Sequence, residues 1–248
     1  MRWVIDIPRT VLTVVAGVVA TIVSVAVIVV IAFFNNTSPA IERIIRGWCR
    51  IWLITSGTRL EVDGRENIDP DRSYVVVANH LSAFDIMACL LAVPLPIRFL
   101  AKKELFRIPI FAHGMRTVGI IEVDREARGA VHAEVNRQSK ELIDKGRSLI
   151  IYAEGTRPRN GVMKPFKKGA FTMAISAQLP VLPLSLYGSY EAWPPGRRLI
   201  RGGRIKVILD KPIETEGLSH SDTGDLRDQV REVISTRVLE MGGAVSGV

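Results

Sequence analysis

His80 and Asp85 are the pair in this chain best suited to moving a proton; they lie in the run Asn79-His80-Leu81-Ser82-Ala83-Phe84-Asp85. The run follows Tyr74–Ala78, a Val-rich stretch that reads as a strand, so the histidine leaves a strand's carboxyl end and the aspartate opens the next helix. A carboxylate brought to one imidazole nitrogen fixes the tautomer, supports the charge formed on protonation and leaves the other nitrogen as a base. A single histidine at a strand end is more often structural, but the five-residue spacing, flanked by Asn79 and Ser82, favours chemistry. No serine or cysteine stands in a Gly-x-Ser-x-Gly turn. The histidine is therefore expected to act directly on a substrate hydroxyl, in a ternary complex without a covalent enzyme intermediate.

Three further segments could bind. Tyr152-Ala153-Glu154-Gly155-Thr156-Arg157 also ends a strand. Gly155 permits close backbone approach, Thr156 offers a hydroxyl, and Arg157 offers a planar fork of donors suited to phosphate. Glu154 is read as orienting Arg157 or a substrate hydroxyl. Gly119–Arg125 is a strand ending in an arginine, a second candidate phosphate ligand. Val181-Leu182-Pro183-Leu184 carries an internal proline, which denies the ladder a donor and predicts a strand at an edge or a site rim.

Elements must hold these residues. Strands are predicted at 59–63, 74–78, 97–101, 118–123, 148–153, 181–187 and 204–209, and helices at 83–92, 127–145, 169–178 and 225–240. That alternation predicts an α/β domain with a mainly parallel sheet flanked by helices. His113 reads as part of a Gly-containing turn, His132 as part of an amphipathic helix and His220 as part of a polar tail, and the last residues, 242–248, read as frayed.

Residues 11–34 contain no charge, Asn, Gln or Pro. A helix of that length reaches about 36 Å, enough for a hydrocarbon core of about 30 Å. The run is too long for the apolar part of a signal peptide, and it is read as an uncleaved membrane helix, either spanning or half-immersed. Residues 40–55 set Ile41, Ile44, Ile45, Trp48, Ile51 and Trp52 on one helical face with arginines opposite, a basic amphipathic helix expected to lie on a membrane, with packing of that face on the domain itself as the alternative. Arg43, Arg46 and Arg50 favour a cytoplasmic catalytic domain at the cell membrane. The expected organisation is 1–57 anchoring helices, 58–215 catalytic domain and 216–248 acidic helix and tail.

The net charge of +8 is uneven. Residues 157–168 hold Arg157, Arg159, Lys164, Lys167 and Lys168 with no acid, whereas 214–240 hold seven acids and three bases. Such a basic half suits lipid headgroups, phosphates or an acidic carrier. Aromatics make up 6%, and none is interleaved with the basic runs in the manner of a stacking platform (Phe166 alone falls within 157–168), which argues against nucleic acid as a partner. Cys49 and Cys89 have neither metal-site nor redox-pair spacing and suit a reducing compartment.

In this order the four segments resemble the glycerolipid acyltransferase family, above all the branch that acylates 1-acyl-glycerol 3-phosphate. Asn79-His80 through Asp85 matches the family's first motif, Arg125 the arginine ending the second, Glu154-Gly155-Thr156-Arg157 the third and Pro183 the proline of the fourth. Ala101-Lys102-Lys103-Glu104-Leu105 and Gly188–Pro194 also look like family sequence, so the likeness covers about residues 58–215. The third motif departs from the usual Phe-Pro-Glu-Gly-Thr-Arg-Ser, with Ala153 in place of the proline and Pro158 after the arginine.

The resemblance implies transfer of a fatty acyl group from an acyl thioester to the free hydroxyl of 1-acyl-glycerol 3-phosphate (lysophosphatidic acid), giving phosphatidic acid. It implies His80 as base and Asp85 as its orienting group. Lys102, Arg125, Glu154, Gly155, Thr156 and Arg157 would form the acceptor and phosphate site. No metal or cofactor is expected; acyl-coenzyme A or acyl carrier protein serves as donor, and a phospholipid membrane is the setting. Other acceptors (glycerol 3-phosphate, a lyso-ornithine lipid, another lysophospholipid) and a non-catalytic lipid-binding protein on the same fold are the alternatives.

Overall fold

The computed structural model describes residues 3–124, 137–143 and 145–247. Two helices come first, α1 (Trp3–Phe34) and α2 (Pro39–Thr55). Ser38 caps α2 by accepting from the Ala40 N–H, and Pro39 opens its first turn. Among the described residues seven strands then build one sheet: β1 (Thr58–Asp63), β2 (Val75–Ala78), β3 (Ile97–Lys102), β4 (Ile121–Val123), β5 (Ser148–Tyr152), β7 (Val181–Tyr187) and β8 (Gly203–Leu209). Between and after them lie α3 (Phe84–Ala92), α4 (Pro109–Val118), α5 (137–143), α6 (Gly169–Ala177), the short α7 (Ser189–Ala192) and α8 (Thr223–Glu240). β6 (Val162–Met163) and β9 (Ala244–Val245) form a separate parallel pair.

The sheet order is β1-β8-β7-β2-β5-β3-β4. Every pairing is parallel except β7 with β8. The expected α/β architecture is therefore present. β2 shows why its sequence is an unbroken Val run rather than an alternation. Val76 and Ala78 face a core shared with α3 and α2, while Val75 and Val77 face a core shared with α6 and α8. Both faces are dry.

Four expectations are corrected. Pro183 is not on an edge strand: β7 lies between β8 and β2. The strand tolerates the proline because β8 ends at Leu209. Asp210 donates to the Pro183 carbonyl at 3.1 Å, and the return bond that proline cannot make falls beyond the ladder. Residues 109–118 form α4, which carries His113, so the strand read from 118 begins at Ile121. The tail is not frayed at 244–245, where β9 pairs with β6 and Ser246 donates twice to the Met163 carbonyl. Finally, the apolar face of α2 is turned inward. Ile41, Cys49 and Leu53 are buried, the Trp48 indole N–H donates to Thr21 of α1 at 2.8 Å, and only Ile51 and Ile54 are open to the outside. Arg46, read as part of the opposite basic face, donates to the carbonyls of Val93 and Leu95.

α1 is docked along its length. Thr13, Ala20 and Ile28 form a buried stripe. A Cβ on Gly17 would lie 2.3 Å from the Trp52 ring, and one on Gly114 of α4 would lie 2.5 Å from Val25. Small residues thus let the helices approach closely. Near its start, Arg9 bonds the Arg201 carbonyl and Thr10 accepts from the Ile200 N–H. The opposite side, including Val11, Val15, Val18, Val19, Ile22 and Val23, is exposed.

Candidate active site

The parallel pairing of β2 with β5 sets Ala78 beside Tyr152. Two residues beyond on each strand stand His80 and Glu154, so the site is assembled where the two central strands end. The first turn of α3 brings Asp85 back towards His80. One oxygen of Asp85 accepts the His80 Nδ1–H at 2.8 Å and the backbone N–H groups of Leu81 and Ser82 at 2.6 and 2.8 Å. With the carboxylate ionised, Nδ1 carries the proton and Nε2 is left as the basic nitrogen. Asp85 is fully buried and His80 is 8% exposed, so the pair is desolvated but reachable.

The turn is fastened on three other sides. Asn79 exchanges two bonds with the Leu186 backbone across the sheet, at 2.8 and 2.9 Å. Ser82 donates to the Trp193 carbonyl at 2.8 Å. The Tyr152 ring lies flat against the His80 imidazole, with centroids 3.9 Å apart and planes 14° from parallel. In the sequence Tyr152 reads only as a strand residue. Its stacking follows from the β2–β5 register, which no local pattern announces.

Glu154 is buried, and both of its oxygens accept backbone N–H groups: Oε1 from His80 at 2.7 Å and Oε2 from Lys164 at 2.8 Å. Burial pushes its carboxyl up to about 7, opposed by the bonds from Lys164 and His80 and reinforced by the Asp85 charge. Gly155 adopts φ +74°, with Lys167 packed over the space a Cβ would need. Thr156 and Arg157 are exposed on the loop that follows, and Lys164 Nζ lies 3.5 Å from the Thr156 hydroxyl. Lys102, at the end of β3, is exposed and paired with Glu104 at 3.5 Å. Among the described residues neither Lys102 nor Arg157 bonds to the His80–Asp85–Glu154 network. Arg125 and His132 lie outside the described residues; Asp124, just before Arg125, pairs with Lys103 at 2.6 Å.

A buried carboxylate, an oriented imidazole and a loop carrying exposed Thr156, Arg157, Lys164 and Lys167 can together deprotonate a hydroxyl on an anionic substrate. The family profile described as Acyltransferase matches residues 59–187 of the chain. The chain is 32% identical to 1-acyl-sn-glycerol-3-phosphate acyltransferase alpha of Ovis aries over 75% of its own length and 64% of that relative. It is 29% identical to the 1-acyl-sn-glycerol-3-phosphate acyltransferase of Pseudomonas aeruginosa over 80% of its length and 77% of that relative. The solved structure of the 1-acyl-sn-glycerophosphate acyltransferase of Thermotoga maritima superposes with a TM-score of 0.85 at 27% identity, over the whole of both chains.

Proposed function

Because the chain belongs to the acyltransferase family, whose profile covers just over half of it, we propose that it transfers a fatty acyl group from a thioester to the free hydroxyl of 1-acyl-glycerol 3-phosphate, yielding phosphatidic acid. One observation carries the mechanism: the 2.8 Å bond from His80 Nδ1 to a buried Asp85 at the carboxyl end of β2. His80 Nε2 takes the acceptor's hydroxyl proton as its oxygen attacks the thioester carbonyl. The C–S bond then breaks, and the departing thiolate receives that proton from the imidazolium. Asp85 holds the ring and offsets its transient charge. The Tyr152 face against the ring adds a quadrupole favourable to that cation.

The donor is acyl-coenzyme A or acyl carrier protein, and the phosphate of the acceptor is read by Arg157 and Arg125, with Lys102 in support. The protein sits on a membrane with its catalytic domain on the cytoplasmic side. The docking of α1 along α2 and α4 favours a helix immersed lengthwise, through its exposed Val and Ile side chains, over one crossing the bilayer. An apolar cavity of about 80 Å³ beneath α1, lined by Thr21, Val25, Trp48, Phe99, Phe111 and Met115, suits a hydrocarbon chain arriving from the same side.

The test is turnover of labelled acyl thioesters by the purified protein against a panel of acceptors. General-base catalysis contributes about 10²–10⁴ in rate, so His80→Ala should lose at least about 10²-fold. Asp85→Asn should lose less, and the double variant little more than His80→Ala alone. Wild-type turnover in His80→Ala would end the proposal. Monoacylglycerol, which lacks the phosphate, should be a very poor acceptor for the wild type, and Arg157→Ala should narrow the gap between the two. Equal use of both acceptors by the wild type would remove the phosphate from the reading.

A further inference from the structure

Glu154 belongs, by resemblance, with the residues that would touch the acceptor. Its surroundings point elsewhere. The side chain is 3% exposed, and each oxygen already faces a backbone donor. The Oε1 partner is the N–H of the very residue that bears the base. The Oε2 partner, Lys164, lies on the returning limb of the loop that displays Gly155, Thr156 and Arg157. That limb is fastened again close by, where the Lys167 N–H donates to the Ala153 carbonyl at 2.8 Å. The two segments bridged by Glu154 come from different strands and have no covalent reason to keep a fixed spacing. A side chain satisfying one donor from each supplies that spacing, and above a pH of about 7, where the carboxyl is ionised, its buried bond at 2.7 Å is charge-assisted and stiff.

We infer that Glu154 is a positioning residue, a brace that sets the His80 turn and the Thr156–Arg157 loop at a fixed separation, and that it is not a ligand of the acceptor. The inference rests on the reading of His80 as the base. Binding of the acceptor to either segment alone survives loss of the brace; alignment of the bound hydroxyl with His80 does not. A displacement of about 1 Å in such an alignment is worth as much as about 10²-fold in rate.

Glu154→Gln keeps the shape and one carbonyl oxygen but turns an NH₂ donor towards one of the two N–H groups. The expected result is a fall in kcat of about 10- to 100-fold with the acceptor KM within about threefold of wild type. Glu154→Asp keeps the charge but is one methylene too short to span both partners, and should lie between Gln and wild type. A rise of tenfold or more in acceptor KM at unchanged kcat, in either variant, would show an acceptor ligand and overturn the inference. Hydrogen-exchange mass spectrometry on the peptide containing His80 supplies a readout independent of turnover. The His80 amide should exchange at least tenfold faster in either variant that folds; unchanged protection would also overturn the brace. Should the wild type transfer no acyl group to any acceptor, the functional reading falls, while the exchange experiment still decides whether Glu154 holds the turn.

Discussion

Glu154 makes the sharpest prediction at the scale of single residues, because its two duties pull against each other. Its carboxyl is pushed from an ordinary 4.5 to about 7 by burial, more than the bonds from Lys164 and His80 pull it down. A carboxyl raised by folding stabilises the native state fully below its unfolded pKa, and that contribution is lost as pH rises through the folded value. A rise of that size corresponds to roughly 3 kcal/mol. Chemical denaturation at pH 5 and pH 8 should therefore show this component declining with pH in the wild type and missing in Glu154→Gln. Protonation also gives the side chain an O–H that faces a backbone donor, so the brace weakens in the acid range where the fold gains. An identical pH dependence of stability in both proteins would refute the assignment. The pairing of His80 with Asp85 was legible from residue type and spacing, whereas the Glu-Gly-Thr-Arg segment was marked by residue type and joined to the site only through the family resemblance. The use Glu154 makes of its oxygens was not, because its partners are backbone groups, which every sequence offers everywhere.

At the scale of elements, β7 and the turn after it hold the histidine turn from behind. Asn79 bonds the Leu186 backbone, and Gly188 lets the chain swing from β7 into α7, which leads to the Trp193 carbonyl that accepts from Ser82. Gly188 has φ +84°, and a Cβ there would lie 2.0 Å from the Arg204 carbonyl oxygen on β8. Gly196 has a similar φ of +78°, and among the described residues a Cβ there would meet nothing within 4 Å. Gly196→Ala should cost only the left-handed conformation, about 1 kcal/mol, whereas Gly188→Ala must also move a strand and should cost about 3 kcal/mol or more. At about 2–4 °C per kcal/mol for a chain of this size, thermal unfolding should separate the two by several degrees, with loss of activity in Gly188→Ala. Equal Tm values would show that β8 yields freely. The seven strands were readable from their Val and Ile runs, yet Pro183 misled. A proline reports a missing donor, and only the neighbouring strand's length tells whether a bond was wanted there.

Across the whole molecule, the proposed membrane attachment rests on the exposed face of α1. Val15 and Val19 are each more than half exposed, on the side away from α2 and α4. Burying a valine is worth about 1.5 kcal/mol or more, so Val15→Glu with Val19→Glu should move the protein from vesicles to the soluble fraction in flotation, with its fold intact by circular dichroism. Lengthwise immersion also predicts that Val4→Cys and Asn36→Cys, flanking the apolar run, both react with an impermeant maleimide added outside reconstituted vesicles. Reaction of only one of them before lysis would mean that the helix crosses. High salt should weaken attachment only in part, through exposed Arg43, Arg50, Arg197, Arg198 and Arg201.

The sequence by itself determined the α/β alternation, the apolar first helix and the His80–Asp85 pair, because these depend on local periodicity and on groups a few residues apart. The order of the strands, the inward turn of α2, the stacking of Tyr152 on His80 and the double bond set of Glu154 were decided only by tertiary structure. An apolar helix such as α1 offers the same side chains all round, so nothing local says which stripe meets protein and which stays exposed. Likewise, Tyr152 and Glu154 reach His80 only because β5 lies beside β2, and that neighbourhood depends on how 69 intervening residues close back on the sheet, from 79 to 147.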